Sequence, residues 1–210
     1  MRSRLGVRGP TARRTGRAVL LGAVLAGLAA CGSPQPPRFH SLVPAPAAAA
    51  PAGVLPAGAV AWEILPVTVP PGVDQPQWVV RSVDGSLVVL EQERWVAPLA
   101  EEVRAALAAR IEAELGTPAA KAAPAWRVRV EVSRFEAAPV REARLEATWT
   151  ILGDDGSVAA RCRGEFVEAP SAEGYLALAA GLRAVVARAG DAAAISLKAA
   201  ASGRAGVCKT

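Results

Sequence analysis

Apolar and polar positions follow two different periods along this chain. Residues 126–135 alternate, with Trp126, Val128, Val130 and Val132 on one face and Arg127, Arg129 and Glu131 on the other, the period of a half-buried strand. Residues 145–152 and 158–167 are β-prone as well, and Asp154-Asp155-Gly156 between them reads as a solvated hairpin turn. Upstream, residues 78–83 and 87–91 flank Asp84-Gly85-Ser86, a second hairpin in which glycine accepts positive φ. Two stretches have the longer period. Leu99, Val103, Leu107, Ile111 and Leu115 recur every four residues, with Ala106 beside them, Glu101 and Glu102 in the first turn, and Gly116 and Pro118 at the close. That predicts an amphipathic helix. A second long helix follows Pro170, with Ser171 as its N-cap and Tyr175, Leu178, Leu182, Val185, Val186 and Ile195 turned inward. Residues 38–42 form a short strand candidate. Residues 60–69 form another, which Pro66 confines to an edge or a bulge. Together these elements predict an α/β two-layer sandwich: a mixed, mostly antiparallel sheet of about five to six strands, covered by two long amphipathic helices. The second face of the sheet is left to solvent or to a partner.

The N-terminal 30 residues follow neither period. Six arginines (Arg2, Arg4, Arg8, Arg13, Arg14, Arg17) and no acid occupy the first 17 positions, and an unbroken apolar run, residues 18–30, follows. A basic region, a short apolar region and small residues before a cut describe a secretory signal peptide. As a helix the run would rise only ~20 Å, short of the ~30 Å hydrocarbon core of a bilayer. Its ending, Leu28-Ala29-Ala30-Cys31, resembles the lipobox of bacterial lipoproteins. Ordinary signal cleavage would place Leu28 where a small residue is required. The resemblance implies acylation of Cys31, and Gly32 in place of aspartate implies sorting to the outer membrane. The organisation expected is a signal peptide at 1–30, a lipid-anchored tether and linker at 31–58 with a short strand near 38–43, one domain at 59–198, and a flexible tail at 199–210 unless Cys208 ties it down.

Charge changes meaning once this leader is set aside. Without its six arginines the 24 basic residues become 18, against 19 acids, so the formal net charge of +5 belongs to the leader. No basic stripe remains to bind nucleic acid. With Cys31 acylated, Cys162 and Cys208 are left as a pair in a disulfide-permissive compartment. They are either bridged, worth ~3–4 kcal/mol on the chain-entropy model, or two unpaired thiols.

Catalytic chemistry is sparse. His40 is the single histidine and lies near the proposed anchor, so neither a histidine metal site nor a Ser-His-acid triad is supported. Carboxylate pairs such as Glu91/Glu93 and Glu101/Glu102 read as solvated charges at a strand end and a helix start. The chain is expected to be no enzyme and to use no cofactor and no metal. Five tryptophans (Trp62, Trp78, Trp95, Trp126, Trp149) carry more information. Trp95, placed after Glu91, Gln92, Glu93 and Arg94, reads either as a partner contact or as packing at the helix start.

Several segments occur in a telling order: the lipobox, Arg38-Phe39-His40-Ser41-Leu42, then Val69-Pro70 and Asp74-Gln75-Pro76-Gln77-Trp78-Val79-Val80-Arg81, then Arg94-Trp95-Val96-Ala97-Pro98-Leu99. This order resembles the ABC-type transport auxiliary lipoproteins, the paraquat-inducible protein C-like family. His40, Gln75 and Ala97 depart from the tyrosine, arginine and glutamate usual there. The resemblance implies a non-catalytic component of a lipid-transport system of the mammalian-cell-entry (MCE) type. It would be anchored at the outer membrane facing the periplasm and would dock a conduit protein that works with an ABC permease and ATPase. A homo-oligomeric ring is an open alternative. Asp74, Pro76, Arg94 and Trp95 are its candidates for partner contact. A periplasmic lipid-binding carrier and an outer-membrane assembly lipoprotein are the competing readings.

Overall fold

A computed structural model of the chain describes residues 35–43, 60–116, 126–139 and 141–208. The proposed signal peptide and Cys31 lie outside the described residues. The elements, in chain order, are β1 (Arg38–His40), β2 (Trp62–Ile64), β3 (Gln77–Arg81), β4 (Leu87–Trp95), α1 (Leu99–Leu115), β5 (Trp126–Ala138), β6 (Glu142–Leu152), β7 (Val158–Glu168) and α2 (Tyr175–Ala201). Seven strands form one mixed sheet in the order β1-β4-β3-β5-β6-β7, with β2 paired to β5. The β3–β4, β5–β6 and β6–β7 pairs are antiparallel. The pairs β1–β4, β2–β5 and the single β3–β5 bridge are parallel. The two helices cover one face, so the architecture is the α/β sandwich read from the periodicity. It has seven strands against about five to six expected, because both short candidates, at 38–42 and 60–69, contribute a three-residue strand, β1 and β2.

The core follows the alternation. Val128, Val130 and Val132 of β5, and Leu145, Ala147, Trp149 and Ile151 of β6, are buried with Val103, Leu107 and Ile111 of α1 and Leu178, Leu182, Val185 and Val186 of α2. Trp149 is anchored as well as packed, its indole N–H donating to Ser196 Oγ at 3.0 Å. The helices approach closely at Gly190, where a Cβ would stand 2.7 Å from Cβ of Arg110. Beside that contact Arg110 donates to Asp191 at 2.6 and 2.8 Å. On the opposite sheet face charges are paired, across strands between Arg134 and Glu146, Arg163 and Glu146, Arg144 and Glu165, and Arg81 and Glu136, and along β5 between Arg134 and Glu136. That face is polar and solvated, as cross-strand ion pairing allows.

Three expectations need correction. Ser171 does not cap α2. The helix is entered through Gly174, whose φ of 97° suits glycine and strains other residues. Ile195 is exposed rather than inward, because Ser196 and Leu197 take the buried positions in that turn. The helix also continues to Ala201, since Ala199 and Ala200 are buried. Beyond it the tail turns back on β7: Gly206 N–H donates to Ala159 O at 2.8 Å, and Cys208 is bonded to Cys162 across a Cα–Cα distance of 5.5 Å.

Candidate partner-docking site

β4 and the turn before β3 build the site together. A register shift between Gln77 and Trp78 breaks the β3–β4 ladder, so the chain ahead of β3 bends across the end of β4. Pro76 O then accepts from Trp95 N–H at 2.8 Å. After Trp95 the chain leaves the sheet. Val96 N–H donates to His40 O at 3.0 Å, and Pro98 starts α1, its carbonyl accepting from Glu101 and Glu102 N–H at 2.9 and 3.0 Å. Proline is well placed there, where an N–H would have no helical partner. Between the two segments lies a recess of about 400 Å³ lined by Asp74, Gln75, Pro76, Trp95, Val96, Ala97 and Pro98.

The recess has a rigid back wall. Trp95 is buried, with its ring 4.9 Å from Trp78 and 6.0 Å, edge-on, from Phe135. His40 also contacts Trp78, their ring centroids 4.4 Å apart and their planes tilted by 43°. Such offset and edge-to-face geometries fix ring orientation as well as filling volume. At the front, Asp74 and Pro76 are exposed and Val96 keeps 62% of its surface open. An apolar floor with one carboxylate at the rim suits a protruding apolar side chain flanked by a donor or a cation.

The structure therefore brings together Asp74, Pro76 and Trp95. Arg94 points elsewhere: its Nε donates to Glu91 O at 3.1 Å and it does not line the recess. Both readings of Trp95 meet in one residue, which packs in the core and forms the wall of the recess. Cys162 and Cys208 stand apart from this site, on β7 and the tail.

Two carboxylates read as solvated are buried instead. Glu93 is 1% exposed. It accepts from Arg38 Nε at 2.8 Å and from His40 Nε2–H at 2.6 Å, and Arg38 Nη2 bonds it too. Glu102 accepts from Ser41 Oγ at 2.7 Å and from Leu42 N–H at 2.8 Å. Together they clasp residues 38–42 against β4 and α1, and Arg183 of α2 adds a bond to Ser41 O at 3.3 Å. The sequence carried a signal for each. Glu93 shares the parity of Trp95, and Glu102 sits three residues after Leu99 and four before Ala106, within the apolar stripe.

Burial acts to raise the pKa of Glu93, but the bonds from Arg38 and His40 outweigh it, and the carboxyl is held below the usual carboxylate range. A folded-state pKa below the unfolded one means that this carboxylate stabilises the fold above the unfolded value. The contribution is lost as pH falls through the folded value. In urea unfolding followed against pH, Glu93→Gln is expected to be less stable than the parent by a constant margin above about pH 5, with the two curves converging at lower pH. A margin unchanged down to strong acid would mean that ionisation of Glu93 contributes nothing.

Comparison with known proteins gives the fold and the family. A crystal structure of a protein from Xanthomonas campestris superposes with a TM-score of 0.60, covering 80% of this chain and 97% of that one at 19% identity. A second, of an uncharacterised protein, also gives 0.60, covering 77% and 98% at 16% identity. At these identities the likeness is one of fold. Among curated proteins none matches the chain. The model of one family, however, matches residues 40–194, spanning both motif segments, the recess and most of α2; the chain belongs to the family of the ABC-type transport auxiliary lipoprotein component.

Proposed function

We propose that this chain is the lipid-anchored docking subunit of an MCE-type ABC lipid-transport system, held by acyl chains on Cys31 at the outer membrane and receiving a periplasmic conduit protein in the recess at the end of β4. It works by binding and positioning, without catalysis. The observation that carries this reading is the convergence of two motif segments, 74–76 and 95–98, on one open recess with a rigid aromatic wall. The alternative of a carrier enclosing lipid finds little support in the interior. The largest side chains between sheet and helices are tightly buried, and the void beside Trp78 measures about 10 Å³, room for one water and not for an acyl chain. A carrier would have to use the open groove of about 720 Å³ lined by Ser41, Val43, Arg110, Arg183 and the alanines of α2 beside them.

Co-purification tests the reading. Val96→Asp places a charge on the open lip of the recess without disturbing the core. It is expected to weaken capture of the conduit protein by at least ~2 kcal/mol, roughly thirtyfold, while the far-UV spectrum and unfolding midpoint stay unchanged. Recovery of stoichiometric phospholipid from the Cys31→Ala chain, with no protein partner, would assign the carrier role instead.

A further inference from the structure

The β3–β4 hairpin is an apolar arm that the docking recess does not use. Leu87, Val88 and Val89 are consecutive and all exposed, at 58%, 42% and 44%. Neighbouring residues on a strand point to opposite faces, so this end of β4 is exposed on both sides, while Trp78 and Val80 of β3 are buried on one face. Among the described residues the outer edge of β4 is unpaired from Leu87 to Gln92, since β1 pairs with Glu93, Arg94 and Trp95 alone. Val83, at 79% exposed, adds a further apolar side chain at the tip. The polar groups of the turn are satisfied within it. Asp84 accepts from Ser86 N–H and Oγ at 3.0 and 2.7 Å, Ser82 and Ser86 exchange a backbone bond at 2.8 Å, and Arg81 donates to Gly85 O at 2.9 Å. An arm that consumes its own polar groups and leaves valines and leucine outside is costly in water and suited to an apolar surface.

Chain length says which surface. β1 runs parallel to β4 with Arg38 opposite Glu93. Cys31 precedes Arg38 by seven residues, and seven residues back from Glu93 along β4 lead to Ser86, in the hairpin turn. Seven residues span at most roughly 25 Å, so an acyl group on Cys31 holds Arg38 within that distance of a bilayer. Because β1 and β4 are parallel, the hairpin tip lies in the direction in which the chain runs back from Arg38 toward its N-terminus.

We propose that the β3–β4 arm is a second membrane contact, its tip seating at the headgroup–acyl boundary of the bilayer that holds the anchor. This rests on acylation of Cys31. Several acyl chains on one residue hold the chain at a bilayer but leave it free to tilt, and an added apolar contact fixes its orientation. Seated this way, the protein turns the opposite end of its sheet, at Val158 and Gly206, away from the lipid.

The test uses the acylated full-length chain in vesicles of phosphatidylethanolamine and phosphatidylglycerol. Cys162 and Cys208 are bonded to each other, which leaves an added cysteine free for labelling. Val88→Cys and Val158→Cys, both at exposed positions, are labelled with the polarity-sensitive dye NBD. The dye at 88 is expected to brighten several-fold on reconstitution and to be quenched by spin-labelled lipid, while the dye at 158 does neither. With the protein acylated and vesicle-bound, equal water exposure at both positions would overturn the proposal. Protection of position 88 that grows with protein density and resists lipid quenching would overturn it in favour of a second copy or another protein on the arm. An unacylated amino-terminal peptide by mass spectrometry would remove the anchor itself, a failure separate from that of the arm.

Discussion

Trp78→Ala is expected to cost about 3–5 kcal/mol, the range for deleting a fully buried aromatic side chain. Trp78 is 1% exposed and its ring contacts those of both His40 and Trp95. Its loss removes the surface against which Trp95 is held, so the recess loses its back wall together with the core contact. Unfolding midpoint and conduit capture should therefore fall together. A domain of this kind has only ~5–15 kcal/mol in total, and the alanine variant alone could report nothing but unfolding. Trp78→Phe separates the two effects. The indole N–H of Trp78 is buried with no hydrogen-bond partner among the described residues, so phenylalanine gives up ring area and none of those bonds. It is expected to keep most of the stability and most of the capture. If the alanine variant stays folded and binds the conduit normally, Trp78 is core filling and does not shape the recess.

Loss of the disulfide is expected to lower stability by ~2–4 kcal/mol while leaving docking intact. Cys162 and Cys208 are 46 residues apart in sequence, and the entropy of closing a loop of that length sets the scale. Cys208→Ser is the cleaner change, because Cys162 is buried beside Ser196 whereas Cys208 is exposed. Unfolding in the presence and absence of reductant should show the difference in the parent and none in the variant. Capture of the conduit should be equal in all four samples, since the bridge sits on β7 and the recess at the end of β4. A midpoint indifferent to reductant would mean that the unfolded chain gains no freedom when the bridge opens.

Much of this could be read from residue order, and the misses share a cause. The strand at 126–135 and both helices have periods long enough to announce themselves, and the predicted inner face of β5 is the buried one. Charge was the misleading guide. Glu93 and Glu102 occupy positions that parity and stripe assign to the interior, yet carboxylates are so seldom buried that the type outweighed the position. What reverses that preference is a set of donors distant in sequence: Arg38 and His40 lie 55 and 53 residues from Glu93, and Ser41 lies 61 from Glu102. No local pattern reports such pairings. The recess was half legible. Its two walls were visible as motif segments, but their meeting depends on a bulge between Gln77 and Trp78, which sends Arg94 to Glu91 and leaves Trp95 in the wall.

β1 also has a mechanical meaning. It enters the sheet parallel to β4 and is gripped by Glu93 at its start and Glu102 just past its end. Tension transmitted through Arg38 along the strand axis loads these bonds side by side in shear, where they must rupture together, and does not peel them apart in sequence. If Cys31 anchors the chain as proposed, a pull on that anchor is shared among these bonds.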